Sequence, residues 1–469
     1  MDLPKLSLVE LVEAVKDRKI SPVELMKNTL KRIDETNPDL NAVVAMYDQE
    51  RLLADAAEAE TRVMREEARP LEGIPLGVKD LEDAKGLVTS MGSVPFRNQV
   101  AEQDSIQVER LRAAGAIVVG KTNAPEFGYT AITKNLLYGV TRSPWNLERT
   151  PGGSSGGSAA ALAAGVLPLV TSSDGGGSVR IPASFVGAFG LKPSFGRIPT
   201  GPIRRWSYGD TTHYGATAKT VEDAALFLDQ VAGYSPYDPK SLPDLGISYL
   251  EALKEPLSPV LRVGFSPDLG YAVVQSDIAT AVEEGAKVFE KIGHHVQEIS
   301  DGPPMLSDEW GLLGAFELSS VLYPMLEKHE SEFGRSFISG PKNARSITRE
   351  QWAALTTKRA QLSNWCAGIF EQVDILITPT VPFDPPPAKG PFPDETDGRK
   401  QIPVGVASFT IPFNLSWHPA ATLRVGLSKA GLPIGLQIIG PRHQEDLVLR
   451  AARAFEVERP WHPDWPTSW

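Results

Sequence analysis

From residue 42 to residue 456 the chain repeats one arrangement: a short apolar run, then a stretch of helical period. The run at 42–46 precedes an alanine- and glutamate-rich helix at 48–67. The run at 74–79 comes next, and a helix at 105–114 leads into 116–120. Later come a strand at 166–171, a helix at 220–232, a strand at 261–265, a helix at 277–292 and a strand at 295–299. A helix at 352–370 feeds a strand at 374–378, and strands at 420–427 and 434–439 lead to a helix at 444–456. Strands alternating with helices require a sheet whose two faces are both covered, an α/β fold. Ser21-Pro22-Val23-Glu24 is a capping box with proline at the first helical position, and it opens a helix to about residue 33.

At 469 residues the chain exceeds the usual single core, so two or three domains are the default expectation. Net charge is −11, and no Lys/Arg cluster reverses it locally, which excludes nucleic acid as an electrostatic partner. Cys366 is the one cysteine. It can form no disulfide within the chain, and a buried small hydrophobe beside Trp365 is the expected role. The N-terminal stretch mixes acids and bases and lacks a signal peptide's apolar core. The longest near-apolar run, 159–170, is too short to span a bilayer. A cytoplasmic protein is expected. Residues 302–349 break the α/β rhythm and carry Trp310, Phe316, Tyr323, Phe333 and Phe337, as extra core packing or as a helical lid over a cleft. The proline-rich stretch 381–400 reads as a long surface loop.

Three motif matches mislead. Gly115 to Thr122 fits a phosphate loop, but its middle, Ala-Ile-Val-Val, is itself a strand, and a helix precedes it. Gly153-Ser154-Ser155-Gly156-Gly157 fits a nucleophile elbow with Ser155 at its tip. What enters it carries two prolines and three charges, unlike a buried strand, although His418 or His443 lies late enough to serve as base. Ser339-Gly-Pro-Lys342 fits S-x-x-K, but Gly-Pro is not expected to hold both side chains on one helical turn.

Two glycine clusters remain, Thr150-Pro-Gly-Gly-Ser-Ser-Gly-Gly-Ser158 and Asp174-Gly-Gly-Gly-Ser178, each around serine. A serine nucleophile needs a base, and lysine serves if burial leaves its amine neutral near neutral pH. Lys79 closes an apolar strand, where its charged form is disfavoured. Consecutive N–H groups of Gly175, Gly176 and Gly177 can turn toward one point, as an oxyanion requires, with Ser178 beside it. The first cluster can supply a second hydroxyl as proton relay, and a helix at 155–165 aims its N-terminus at the same place.

These residues resemble the amidase signature family, with its Ser–cisSer–Lys triad. The match lies in GIPLGVKD, PGGSSGGSAA and DGGGSVRIPAS, and also in GKTNAPEFG, FVGAFGLKPSFGRIP, DILITPT and LPIGLQIIGP, all in the family's order. The resemblance implies one α/β domain over residues 1–469, a large mixed, mostly parallel sheet flanked by helices. Its core is about 60–200 plus the C-terminal strands and helices, with a helical lid at 302–349. It implies that Ser178 forms the acyl-enzyme, that Ser154 follows a cis peptide bond and relays the proton to Lys79, and that the N–H groups of Gly175, Gly176, Gly177 and Ser178 form the oxyanion hole. Ser155, Asp174 and Arg180 brace the loop. No metal or cofactor is implied. One departure is visible: Gly175 fills a place that the family usually gives to a bulkier residue, which loosens one wall of the hole.

The same family includes the glutaminase component of the tRNA-dependent amidotransferase. That component carries an aspartate in a D-x-x-T-x-P-x-N run to grip glutamine, and here Ala407 replaces it in Ala407-Ser-Phe-Thr410-Ile-Pro412-Phe-Asn414. The reading is therefore an amidase acting as monomer or homodimer on a small-molecule amide or carbamate. The aromatics of 302–349 and Trp417 suggest a bulky apolar or aryl group. Carbamate or ester hydrolysis by the same triad, and the glutaminase-type component of the amidotransferase, are the alternatives.

Overall fold

The computed structural model describes residues 2–202, 209–257, 259–461 and 465–466. Eleven strands form one sheet: β1 (Val43–Met46), β2 (Pro75–Lys79), β3 (Ile117–Thr122), β4 (Leu169–Asp174), β5 (Phe189–Lys192), β6 (His213–Ala218), β7 (Arg262–Phe265), β8 (His295–Glu298), β9 (Ile375–Pro379), β10 (Ala420–Leu427) and β11 (Pro433–Ile439). Their order is β1-β3-β2-β4-β6-β5-β10-β11-β9-β7-β8. Runs such as Pro75–Lys79, Ile375–Pro379 and Pro433–Ile439 are buried along their whole length because helices cover both faces.

The sheet is large and mixed, as expected, but its balance is not mostly parallel. Four pairings are parallel: β2 with β3 and β4, and β7 with β8 and β9. The other six are antiparallel, five of them consecutive through the centre. The difference comes from β5 and β6, two central strands that the apolar pattern does not announce. β5 lies in a glycine-studded stretch, where Gly190 lets the helix Arg180–Val186 approach: a Cβ there would stand 2.7 Å from the Cβ of Ala183. β6, His-Tyr-Gly-Ala-Thr-Ala, has too few apolar residues to read as a core strand.

Ser21 and Glu24 form the expected capping box, but the helix runs Pro22–Leu40, through Pro38, and ends at Asn41 in the left-handed region. Burial of Ile33, Thr36 and Leu40 carries it past residue 33. Ser339 and Lys342 do share a helix, Arg335–Asn343, contrary to expectation, because Pro341 lies near its end; Lys342 pairs with Glu330. Helices Ser307–Lys328 and Arg335–Asn343 make up most of 302–349. Their Leu318, Leu322, Leu326 and Phe337, with Phe333 between the helices, form a separate cluster with Met91, Phe96 and Phe127. Phe337 stacks on Phe127 at 4.8 Å between ring centres. Cys366 is buried beside the partly buried Trp365. Among the described residues, no helix is long and apolar enough to cross a membrane.

Candidate active site

Neighbouring parallel strands end on the same side of a sheet, so β2 and β4 bring Lys79 and Ser173 together. Lys79 Nζ lies 3.0 Å from Ser173 Oγ and 3.2 Å from its carbonyl oxygen. Its third neighbour is Ser154 Oγ, at 2.8 Å. Lys79 is 1% exposed. Burial pulls its pKa down to about 7, against the opposing pull of the Asp174 and Glu82 carboxylates.

The sequence neighbour Asp80 does not share the contact. Successive side chains of a strand point to opposite faces, and the Asp80 carboxylate takes hydrogen bonds from the Ser90 hydroxyl and from the N–H groups of Ser90 and Gly92. Lys121 Nζ stands 3.9 Å away from it. Lys121 also donates to the Glu82 carbonyl and to Thr89 Oγ1. Burial raises the Asp80 and Glu82 carboxyls and lowers the Lys121 amine. In the sequence, Asp80 and Lys121 stand inside longer motifs and Glu82 just beyond one, with nothing to mark them as a buried group.

The first glycine cluster turns into the helix Gly156–Ala163. Gly157 allows its first turn to press on the end of β3, since a Cβ there would meet Asn123 N at 2.3 Å. The Gly153–Ser154 peptide bond is cis. Ser155 is fully buried, its hydroxyl donates to the Ser173 carbonyl at 3.2 Å, and no strand enters it, which closes the nucleophile-elbow reading. His213 is bound to the Thr211 carbonyl and His418 to Ser416. Among the described residues no histidine hydrogen-bonds Lys79, Ser154, Ser155 or Ser178.

The second cluster leaves β4 as a tight loop around Asp174. The carboxylate meets Arg180 through Nε and Nη2, both at 3.0 Å, and takes N–H bonds from Gly177 at 2.6 Å and Val179 at 3.2 Å. Asn414 Nδ2 donates to its Oδ1 and to its backbone carbonyl, both at 2.8 Å. Arg180 also donates to Gln437 Oε1 and Asn414 Oδ1. Burial alone would raise the Asp174 carboxyl, but the Arg180 guanidinium and these hydrogen bonds hold it well below the usual carboxylate range. Asn414 closes the run that begins at Ala407, whereas Gln437 carries no sequence signal beyond being a polar residue inside an apolar strand.

Gly177 departs from the expected oxyanion hole. Its N–H is committed to Asp174, because the loop wraps the carboxylate first. Gly175, Gly176 and Ser178 line the cavity, and among the described residues their N–H groups meet no acceptor. The bulkier wall that Gly175 lacks is supplied by Trp310, whose indole N–H donates to the Gly175 carbonyl at 2.7 Å.

The cavity that Ser154 and Ser178 line measures about 910 Å³. Phe127, Trp310, Leu318, Phe383, Phe392 and Val406 make much of its wall apolar. The proline-rich loop, expected only at the surface, contributes Phe383 and Phe392 because both rings turn inward. Ala407 also lines the cavity.

The amidase family profile matches residues 24–449. The chain belongs to the amidase signature family. It is similar to an acylamidase of Rhodococcus erythropolis, 35% identical over 97% of this chain and 96% of that one. It is also similar to the glutaminase component of the glutamyl-tRNA(Gln) amidotransferase of Geotalea daltonii, 33% identical over 98% and 99%. A bacterial aryl acylamidase of the family superposes with a TM-score of 0.92, at 30% identity over 99% of both chains. A 6-aminohexanoate cyclic dimer hydrolase does so at 0.88, with 31% identity over 99% of both. Like these members of the family, the chain is an amide-hydrolysing enzyme.

Proposed function

We propose that the chain hydrolyses small-molecule amides bearing a bulky apolar or aryl group, through an acyl-enzyme at Ser178 with Ser154 and Lys79 as proton relay. The observation that carries this reading is the 2.8 Å contact of a buried Lys79 Nζ with Ser154 Oγ, beside the cavity that Ser178 lines. A neutral amine has two N–H groups and one lone pair. Ser173 offers two acceptors to the N–H groups, so the lone pair is left for the Ser154 hydroxyl.

The substrate carbonyl oxygen sits against the N–H groups of Gly175, Gly176 and Ser178. Ser178 Oγ attacks the carbonyl carbon while its proton passes to Ser154 Oγ, and the Ser154 proton passes to Lys79 Nζ. When the tetrahedral intermediate collapses, the C–N bond breaks and the proton returns along the same path to the leaving nitrogen. Water then attacks the acyl-enzyme by the same relay, releasing the carboxylic acid and restoring Ser178. Asp174 and Arg180 keep the loop in shape, and Ser155 supports the Ser173 carbonyl.

A cavity of this volume with aromatic walls favours bulky apolar groups over small polar amides. At the position of the amidotransferase aspartate, Ala407 offers no carboxylate to an ammonium group, which favours a hydrolase turning over alone. Carbamates and esters present the same carbonyl to the same residues, so a panel of anilides, carbamates and esters ranks the leaving groups. The decisive test is Ser178→Ala. It is expected to lose hydrolysis and labelling by an aryl sulfonyl fluoride while keeping its thermal transition. A mutant labelled like wild type would remove Ser178 as nucleophile.

A further inference from the structure

Two consecutive carbonyls of the nucleophile loop are held by side chains from distant parts of the chain. Trp310 Nε1, on the helix Ser307–Lys328, donates to the Gly175 carbonyl at 2.7 Å. Thr410 Oγ1 donates to the Gly176 carbonyl at 2.6 Å. A trans peptide is planar, with its carbonyl and the following N–H on opposite sides. Fixing the Gly175 carbonyl therefore fixes the direction of the Gly176 N–H, and fixing the Gly176 carbonyl turns the Gly177 N–H away, onto Asp174. Glycine loops have no side chains to set these planes, and each peptide could otherwise rotate at low cost.

We infer that Trp310, seconded by Thr410, is a positioning residue for the oxyanion hole: it sets the peptide plane that aims the Gly176 N–H at the substrate oxygen. The inference rests on the reading of Ser178 as nucleophile with this loop as its hole. The indole also lies flat against the loop. A Cβ on Gly176 would stand 2.5 Å from one of its ring carbons, so glycine at 176 and tryptophan at 310 require each other. An indole N–H can donate but not accept, which suits a carbonyl and excludes the opposite orientation of the peptide. Trp310 gets its own position from the helical segment around it. The next helix is tied down by Glu126, whose carboxylate takes the Ser93 hydroxyl at 2.6 Å and the Gly334 N–H at 2.8 Å. The segment covering the cavity thus reaches the nucleophile loop through one hydrogen bond.

Trp310 also lines the cavity, so loss of activity alone would not separate a positioning role from a wall. The separation lies in what the substitution weakens, because an oxyanion hole binds the tetrahedral state and a wall binds the ground state. The experiment measures kcat and KM for an aryl anilide, and inhibition by an aryl trifluoromethyl ketone, in Trp310→Phe and Thr410→Val. Trp310→Phe is expected to lower kcat about tenfold or more and to raise the ketone's Ki by the same factor, with KM changed less than about threefold. Thr410→Val, which keeps the side-chain volume, is expected to shift kcat and Ki in the same direction, and it carries the test if Trp310→Phe does not fold. An effect confined to KM, or an unchanged Ki in a folded variant, would overturn the inference. If Ser178→Ala still reacts with the ketone, the proposed function fails and this inference with it. If Ser178→Ala is inert and Trp310→Phe is kinetically silent, only the role of Trp310 falls.

Discussion

Lys79 Nζ stands 2.8 Å from Ser154 Oγ, while the carboxylate of Asp80, one residue along the strand, is turned to Ser90 and Gly92. Had Asp80 paired with Lys79, the ion pair would have kept the amine charged. Its absence leaves burial to set the amine near neutrality.

The first prediction follows for pH. The active amine is the neutral one, so amide turnover rises as pH passes about 7 and levels off above it. The buried histidines are held neutral, His418 by burial and nearby cations at about 3 and His213 well below its usual value, chiefly by burial. Replacing either with glutamine should leave the midpoint where it is. pH–rate profiles of wild type and both variants check this, and a histidine variant that flattens the rise would defeat the lysine assignment.

A second prediction concerns stability. Lys79 titrates near 10.5 when unfolded and near 7 when folded. Between these values the unfolded chain holds the extra proton, so the penalty for burying this lysine is full below pH 7 and changes as pH rises toward 10.5: stability climbs with pH through that window only where the unfolded state binds more protons, as it does here. Below about pH 7 both states are protonated and the slope vanishes; above 10.5 both are neutral. At 1.36 kcal/mol per unit, the full penalty is roughly 5 kcal/mol. Lys79→Met should therefore be inactive yet gain stability relative to wild type, by more at pH 6 than at pH 9. Urea midpoints at the two pH values decide it, and a gap that widens toward alkaline pH contradicts the sign.

Breaking the loop's buried ion pair should be expensive. Asp174→Asn leaves the Arg180 guanidinium, 0% exposed, without its carboxylate, a loss of about 3–5 kcal/mol. Pairing it with Arg180→Met should recover part of that. A double-mutant cycle by urea denaturation gives the number, and additive losses would mean that the two side chains do not act as a pair.

Glycine replacements should separate by what surrounds them. In Gly157→Ala the new methyl meets backbone atoms of Asn123 at 2.3 and 2.5 Å, and overpacking against main chain costs at least about 3 kcal/mol. Gly311, within the helix Ser307–Lys328, faces no atom within 4 Å. Gly311→Ala should raise stability by about 0.5–1 kcal/mol through helix propensity. Calorimetry on both variants is the check, and equal shifts would refute it.

The outer strands of the sheet were legible because parallel βαβ strands bury both faces and read as continuous apolar runs, as in Pro75–Lys79 and Ile375–Pro379. His213–Ala218 and Phe189–Lys192 escaped because glycine and polar residues fill them. They are strands through their neighbours' hydrogen bonds, not through their own pattern. At the site, Lys79, Ser154 and Ser178 stood out through local motifs. Trp310, Thr410, Asn414 and Gln437 did not, because each acts on a loop at least 135 residues away in the chain.

The sequence by itself determined the parts: an apolar strand ending in lysine, two glycine loops holding serine, and helices to cover a sheet. These follow from local chemistry, since periodicity, capping and backbone freedom are properties of neighbouring residues. Only the tertiary structure decided what the parts do to one another. It gave the Gly177 N–H to Asp174 and the Gly175 carbonyl to Trp310. It also brought β4 beside β2, so that Ser173 meets the Lys79 amine. Hydrogen-bond partners and burial depend on which distant segments pack together, and no local pattern carries that information.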